Sequence, residues 1–116
     1  MDQQASKQIV WIKASLSHLC SFTKAARQAA GHQLRRVQQR KQPEDWKPMS
    51  EIGSGAIERR FHNPYEHRAI YVAKFSEAIY VLHAFEKKTQ KTSQKDLDIA
   101  RTAYDEIKKI RHRQKH

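Results

Sequence analysis

Four cations, Arg60, Arg68, Lys87 and Lys88, are the side chains whose chemistry repays following first. A guanidinium offers a phosphate a planar fork of donors, and an ammonium crowded by other cations gives up its proton more readily than one in water. Together such groups suit the handling of a phosphate chain. The stretch "YVLHAFEKKTQKTSQKD" (Tyr80 to Asp96) runs from apolar residues straight into four lysines with no glycine or proline between. Any one of these cations alone reads as an ordinary solvated lysine, or as an arginine paired with Glu58 or Glu66. Convergence from three separate segments would be harder to explain that way, and it depends on how the strands pair.

The strands are readable. "AIERRF" (Ala56 to Phe61) alternates, with Ile57, Arg59 and Phe61 facing one way and Ala56, Glu58 and Arg60 the other. "HNPYEH" supplies a turn around Pro64, "RAIYVAKF" (Arg68 to Phe75) is β-branched and aromatic, Ser76 and Glu77 make a reversal, and "AIYVLHAF" (Ala78 to Phe85) follows. Residues 56–85 therefore read as an antiparallel three-strand meander. That order sets Arg60 across a turn from Arg68, and Phe85 at the end of the strand antiparallel to the one Arg68 opens. The lysines then lie where one end of the sheet would meet a phosphate chain.

Other elements frame the meander. "KQIVWIK" (Lys7 to Lys13) reads as a first strand buried on both faces. From Ser15 to Lys41 the apolar residues recur every three or four, which predicts helix in two pieces, the second capped by Thr23. Gln42 to Gly55 holds two of the three prolines and two of the three glycines and reads as a loop. Ser93 with Asp96 three residues on resembles a capping box, and Leu97, Ala100, Ala103, Tyr104, Ile107 and Ile110 trace one face of a last helix. The expected fold is α+β: a small, antiparallel-rich twisted sheet of about four strands, packed by N-terminal helices and a C-terminal one.

Composition bounds the rest. At 116 residues the chain suits one domain, 1–116, with residues 1–6 and 111–116 expected to fray. The 23 Lys and Arg against 12 Asp and Glu leave a net charge of +11, which points to a polyanion, most often nucleic acid. The excess lies in the flanks, since residues 47–85 carry five basic and four acidic side chains. Cys20 is the only cysteine, so an internal disulfide and a cysteine zinc cluster are excluded. Among seven histidines only His112 and His116 have a ligand-like spacing, in a segment expected to be a tail. No apolar run approaches the roughly 18 residues of a membrane span, and the N-terminus lacks a signal-peptide pattern, so the expected location is cytoplasmic.

Taken together, these pieces resemble the RelE/ParE superfamily of bacterial type II toxins, in its HigB-like, phage-associated branch. The likeness rests on "IVWI", on "WKPMSEIGSGAIERRF" with its Lys-Pro loop before a Glu-x-Arg strand, on "HRAIYVAKF", and above all on "YVLHAFEKKTQKTSQKDLDIA". It covers roughly residues 7–110. The resemblance implies a ribosome-dependent mRNA endoribonuclease that inhibits translation without a metal or other cofactor, the RNA's 2′-hydroxyl attacking the adjacent phosphorus. It further implies that Arg60 and Arg68 brace the phosphate and that Lys87 or Lys88 protonates the leaving oxygen. Lys47 and Lys91 would grip neighbouring phosphates, and Tyr65 or Phe85 would stack on a base.

The start of the last helix lacks the tyrosine or histidine that some relatives use as general base, which leaves His62, His67, His83 and Glu58 as candidates, with Glu58 also a partner for Arg60. The implied partners are the ribosome with its mRNA and a cognate antitoxin, typically a HigA-like helix-turn-helix protein. Arg35, Arg36 and Arg40 on the first helices suit either ribosomal RNA or that antitoxin. Two rival readings stand beside the nuclease: a ParE-like gyrase poison, which does not need a cleft of cations, and a nonenzymatic RNA-binding protein.

Overall fold

The computed structural model describes residues 7–41, 46–61, 67–86 and 91–114. Its elements run β1 (Gln8–Trp11), α1 (Ser15–Cys20), α2 (Lys24–Gln38), β2 (Trp46–Pro48), β3 (Ala56–Phe61), β4 (His67–Val72), β5 (Ala78–Glu86) and α3 (Gln94–Gln114). The turn expected around Pro64 lies outside the described residues, as do Lys87 and Lys88. Among the described residues no helix is long and apolar enough to cross a membrane.

The expected meander forms the middle of the sheet: β3, β4 and β5 pair antiparallel in sequence order. The sheet has five strands in the order β1-β5-β4-β3-β2, rather than about four. The additional strand, β2, lies inside the segment expected to be wholly loop. Three residues are too few to carry a visible alternation, and Pro48 reads as a breaker, yet at a sheet edge a proline costs no ladder bond. The first strand also departs from expectation. β1 pairs only with β5, in parallel, so it is an edge strand with Gln8 exposed and Ile9, Val10 and Trp11 half-buried, not a strand covered on both faces.

Helices cover both faces. On one side Leu19, Phe22, Ala26, Ala30, Leu34 and Val37 of α1, α2 and their junction pack on Ala69, Tyr71, Ile79, Val81 and Ala84. On the other, Ala100, Ala103, Tyr104 and Ile107 of α3 meet Ile70, Val72, Tyr80, Leu82 and Phe85. A fully buried aliphatic side chain such as Ile107 contributes about 1.5–3 kcal/mol relative to leaving it in water. Thr23 caps α2 as expected, its hydroxyl accepting from the Ala26 N–H at 3.3 Å. α3 continues to Gln114, and Arg111, expected in a frayed tail, is bonded to Glu77 and lies over the Phe75 ring at 3.8 Å.

β5 carries a bulge. Ile70 opposes His83 while its neighbour Tyr71 opposes Val81, so Leu82 has no partner of its own in β4. Strict alternation would put Val81, His83 and Phe85 on one face. With the extra residue, Val81 and Ala84 pack under α2, and Tyr80, Leu82 and Phe85 under α3. Such a bulge re-aims side chains without interrupting the strand.

Candidate functional site

Pairing register builds two rows of side chains on the α3 face, at the end of the sheet where β3 finishes and β4 begins. One row crosses four strands: Lys47 opposes Glu58, Glu58 opposes Ile70, and Ile70 opposes His83. The next crosses three: Arg60 opposes Arg68, and Arg68 opposes Phe85. Two of the four cations singled out from the sequence are thus direct cross-strand neighbours, contributed by separate strands.

Glu58 anchors the first row. It is fully buried, and its Oε2 accepts a 2.7 Å hydrogen bond from the Thr92 hydroxyl. Its Oε1 lies 3.9 Å from the Arg68 Nε and 4.0 Å from the Lys47 Nζ. A buried carboxylate is tolerated when cations and donors replace its water, and here both kinds are present. These surroundings make Glu58 a holder of Arg68 and Lys47.

His83 ends that row. Its Nε2 is 2.8 Å from the Asp96 Oδ1 in the first turn of α3, its ring stacks on Phe85 with centroids 4.9 Å apart, and His18 of α1 meets it edge-on at 5.6 Å. Burial pushes the imidazole pKa down, although the bond to Asp96 and that carboxylate's charge pull it back up. The neutral ring donates Nε2–H to the carboxylate, which leaves the lone pair on Nδ1; that atom is buried with no hydrogen-bond partner among the described residues. Asp96 is held in turn. Its Oδ2 accepts from the Ser93 hydroxyl at 2.7 Å, and its own N–H donates to the Ser93 Oγ at 3.1 Å, which is the capping arrangement foreseen in the sequence.

Two bonds therefore pin the segment ahead of α3: Thr92 to Glu58, and Asp96 to His83 through the Ser93 cap. Exposed Lys91 immediately precedes Thr92. A cavity of about 240 Å³ opens beside His83 and Phe85, lined also by His18, Phe22, Glu86, Lys95 and Asp96. Sequence reasoning overlooked Thr92, Asp96 and His18 as site residues. The capping spacing marked Asp96 only as part of a helix cap, and nothing in the local spacing marks His18 or Thr92, although Thr92 falls among the lysines of its segment.

The other expected residues fall as follows. Phe85 is 8% exposed beneath His83, so its ring is already covered. His67 belongs to the opposite face: it is buried, 3.4 Å from Glu86, with its ring against Phe22 at 4.4 Å. Arg35 and Arg40 are exposed and Arg36 is partly buried. Tyr65 and His62 lie outside the described residues, together with Lys87 and Lys88. The strand that leads into these two lysines ends at Glu86, one residue beyond the Arg68–Phe85 pair.

No curated protein matches the chain. A family model does, over residues 17–105: the one described as "Phage derived protein Gp49-like (DUF891)". The matched span takes in most of α1, all of α2 and the meander, and the first half of α3. The chain belongs to this Gp49-like family of phage-derived proteins, a toxin-like family of the RelE/HigB type.

Proposed function

We propose that the protein is the toxin of a type II toxin–antitoxin pair, and that it cuts mRNA on the ribosome by directing the RNA's own 2′-hydroxyl onto the adjacent phosphorus. What supports this reading is above all the cross-strand pairing of Arg60 with Arg68, beside Phe85 and two residues short of Lys87. Two guanidiniums at neighbouring register positions present adjoining forks of donors and positive charge to a phosphate. In-line attack on a phosphodiester builds negative charge on the phosphate oxygens, and fixed donors there lower the barrier.

The roles combine the resemblance with the register of the described residues. Arg68, braced by Glu58, and Arg60 hold the phosphate. Lys87 or Lys88 protonates the departing 5′ oxygen. Lys47 and Lys91 grip flanking phosphates, with Tyr65 as a stacking platform. His83 is the base best equipped for the 2′-hydroxyl, because Asp96 fixes its tautomer and steadies the imidazolium that forms. Phe85 stacks on the face of the imidazole in the free protein, and stacking on a nucleobase instead would require its ring to turn. The antitoxin, a helix-turn-helix protein in this reading, restrains the toxin by covering the basic rows or by blocking entry to the ribosome.

The test is induced expression of the intact chain and of Arg68→Ala, with mapping of mRNA 5′ ends. New ends within translated frames from the intact chain, and none from the variant, are expected. Growth arrest with no new ends would transfer the protein to the gyrase-poison class.

A further inference from the structure

A second basic site lies at the far end of the sheet and on its other face. There Lys7, Val37, Arg40, Lys41, Ile57, Tyr71 and Ala73 line a cleft of about 290 Å³ between the last turn of α2 and the sheet. Register sets it apart from the rows above: it adjoins the start of β3 and the end of β4, where Ala56 opposes Val72, whereas Arg60 and Arg68 stand at the other end.

Two features of this cleft bear on what it could bind. The first is Arg40. It sits just past α2 with φ 65°, its N–H bonded to the Val37 carbonyl and that of Lys41 to the Arg36 carbonyl, a helix ending that favours glycine. An arginine held in the left-handed region is a reason to look for a use of its side chain. The second is Tyr71, which is 1% exposed, and whose buried hydroxyl has no hydrogen-bond partner among the described residues. Burial pushes that hydroxyl up to about 12 against the pull of the Arg59 charge, so it keeps its proton and remains a donor. An apolar floor, a fixed O–H and cations at the rim are what a phosphate with its attached sugar requires.

The surroundings point to a long polyanion. Residues 3–43 contain eight Lys and Arg and no Asp or Glu. The described part of this stretch contains β1, α1 and α2, and on α2 the side chains of Lys24, Arg27 and Arg35 are exposed. An acid-free basic face of this extent attracts a chain of phosphates more than a single ion. We infer that the cleft between Arg40, Lys41, Lys7 and Tyr71 binds a backbone phosphate of RNA, and that α2 guides the strand toward it. This does not rest on the cleavage reading, since a phosphate can be held there whether or not any bond is cut elsewhere.

The test is equilibrium binding of a fluorescent 2′-O-methyl oligouridylate ten nucleotides long, which lacks the nucleophile for cleavage, followed by anisotropy across a salt series. Arg40→Gly removes the charge and suits the backbone, so its melting temperature should hold or rise. Its affinity at low salt should fall about threefold to tenfold, and its salt slope should shrink by about 0.7, the value of one single-strand phosphate contact. Tyr71→Phe removes only the hydroxyl, so affinity should fall about threefold to tenfold with the slope unchanged. Lys109→Ala, an exposed cation on α3, should do neither. Unaltered binding by Tyr71→Phe, or an equal loss from Lys109→Ala, would reduce the cleft to nonspecific charge and overturn the inference. Displacement of the oligonucleotide by inorganic phosphate beyond that by chloride at matched ionic strength would replace RNA with free phosphate. A ten-residue glutamate peptide that binds more tightly, with the same sensitivity to both variants, would replace it with an acidic protein partner.

Discussion

Thr92 donates its hydroxyl hydrogen to Glu58 at 2.7 Å, joining the residue two before α3 to the middle of β3, 34 positions away. Both groups are buried, so neither has water to fall back on. Thr92→Val keeps the shape and removes the donor. A hydrogen bond to a charged group is worth about 1.5–3 kcal/mol, so urea unfolding of the variant should show a loss of about that size. Because Glu58 also braces Arg68, the same variant should lose activity beyond its loss of stability, read as weaker cleavage at a temperature where both chains remain folded.

Arg68→Lys keeps the charge and discards the fork. If Arg68 steadies the transition state through paired donors, lysine should restore little of what alanine removes, each costing about 100-fold or more in the cleavage rate on programmed ribosomes. Lysine performing nearly as well as arginine would mean that only charge matters at this position.

His83 gives the stability a pH dependence of predictable sign. Its pKa in the fold lies below the ordinary 6.5, chiefly through burial. The unfolded chain therefore takes up the proton first, and the stability His83 contributes is complete above about pH 6.5 and drains away as pH falls toward the depressed value. His83→Gln retains a donor for Asp96 and does not titrate. The stability of wild type minus that of the variant should thus fall between pH 7.5 and 5, by about 1.4 kcal/mol for each unit of displacement. Denaturant unfolding at several pH values measures it.

Gly53 packs against a ring. A Cβ at this position would lie 2.5 Å from Tyr104 Cε2, and Tyr104 is fixed by its own 2.7 Å bond to the Ser54 carbonyl. Gly53→Ala should cost about 1–3 kcal/mol. Tyr104→Leu in the same chain should make the alanine less costly, a coupling that a double-mutant cycle would expose.

Local pattern made much of the fold legible. Two-residue alternation in "AIERRF" and β-branched density in "RAIYVAKF" and "AIYVLHAF" marked the meander, and hydroxyls ahead of helical periodicity marked the caps at Thr23 and Ser93. β2 stayed hidden because three residues hold no period, and the edge position of β1 because an apolar run looks the same whether one neighbour covers it or two. The site divides along the same line. The Arg60–Arg68 pairing followed from antiparallel order, but the surroundings of Glu58 and His83 involve α1 and the start of α3, whose placement no spacing predicts.

By itself the sequence determined which residues alternate, where helices can begin, and that positive charge gathers in the flanks, because period, capping chemistry and charge are properties of neighbouring residues. Only the tertiary structure decided that Leu82 is the extra residue turning Tyr80 and Leu82, rather than Val81, toward α3, that Asp96 meets His83, and that Arg40 and Tyr71 share a cleft. Each of those depends on the register and packing of segments far apart in the chain, and the energies that set them are sums over contacts no single segment contains.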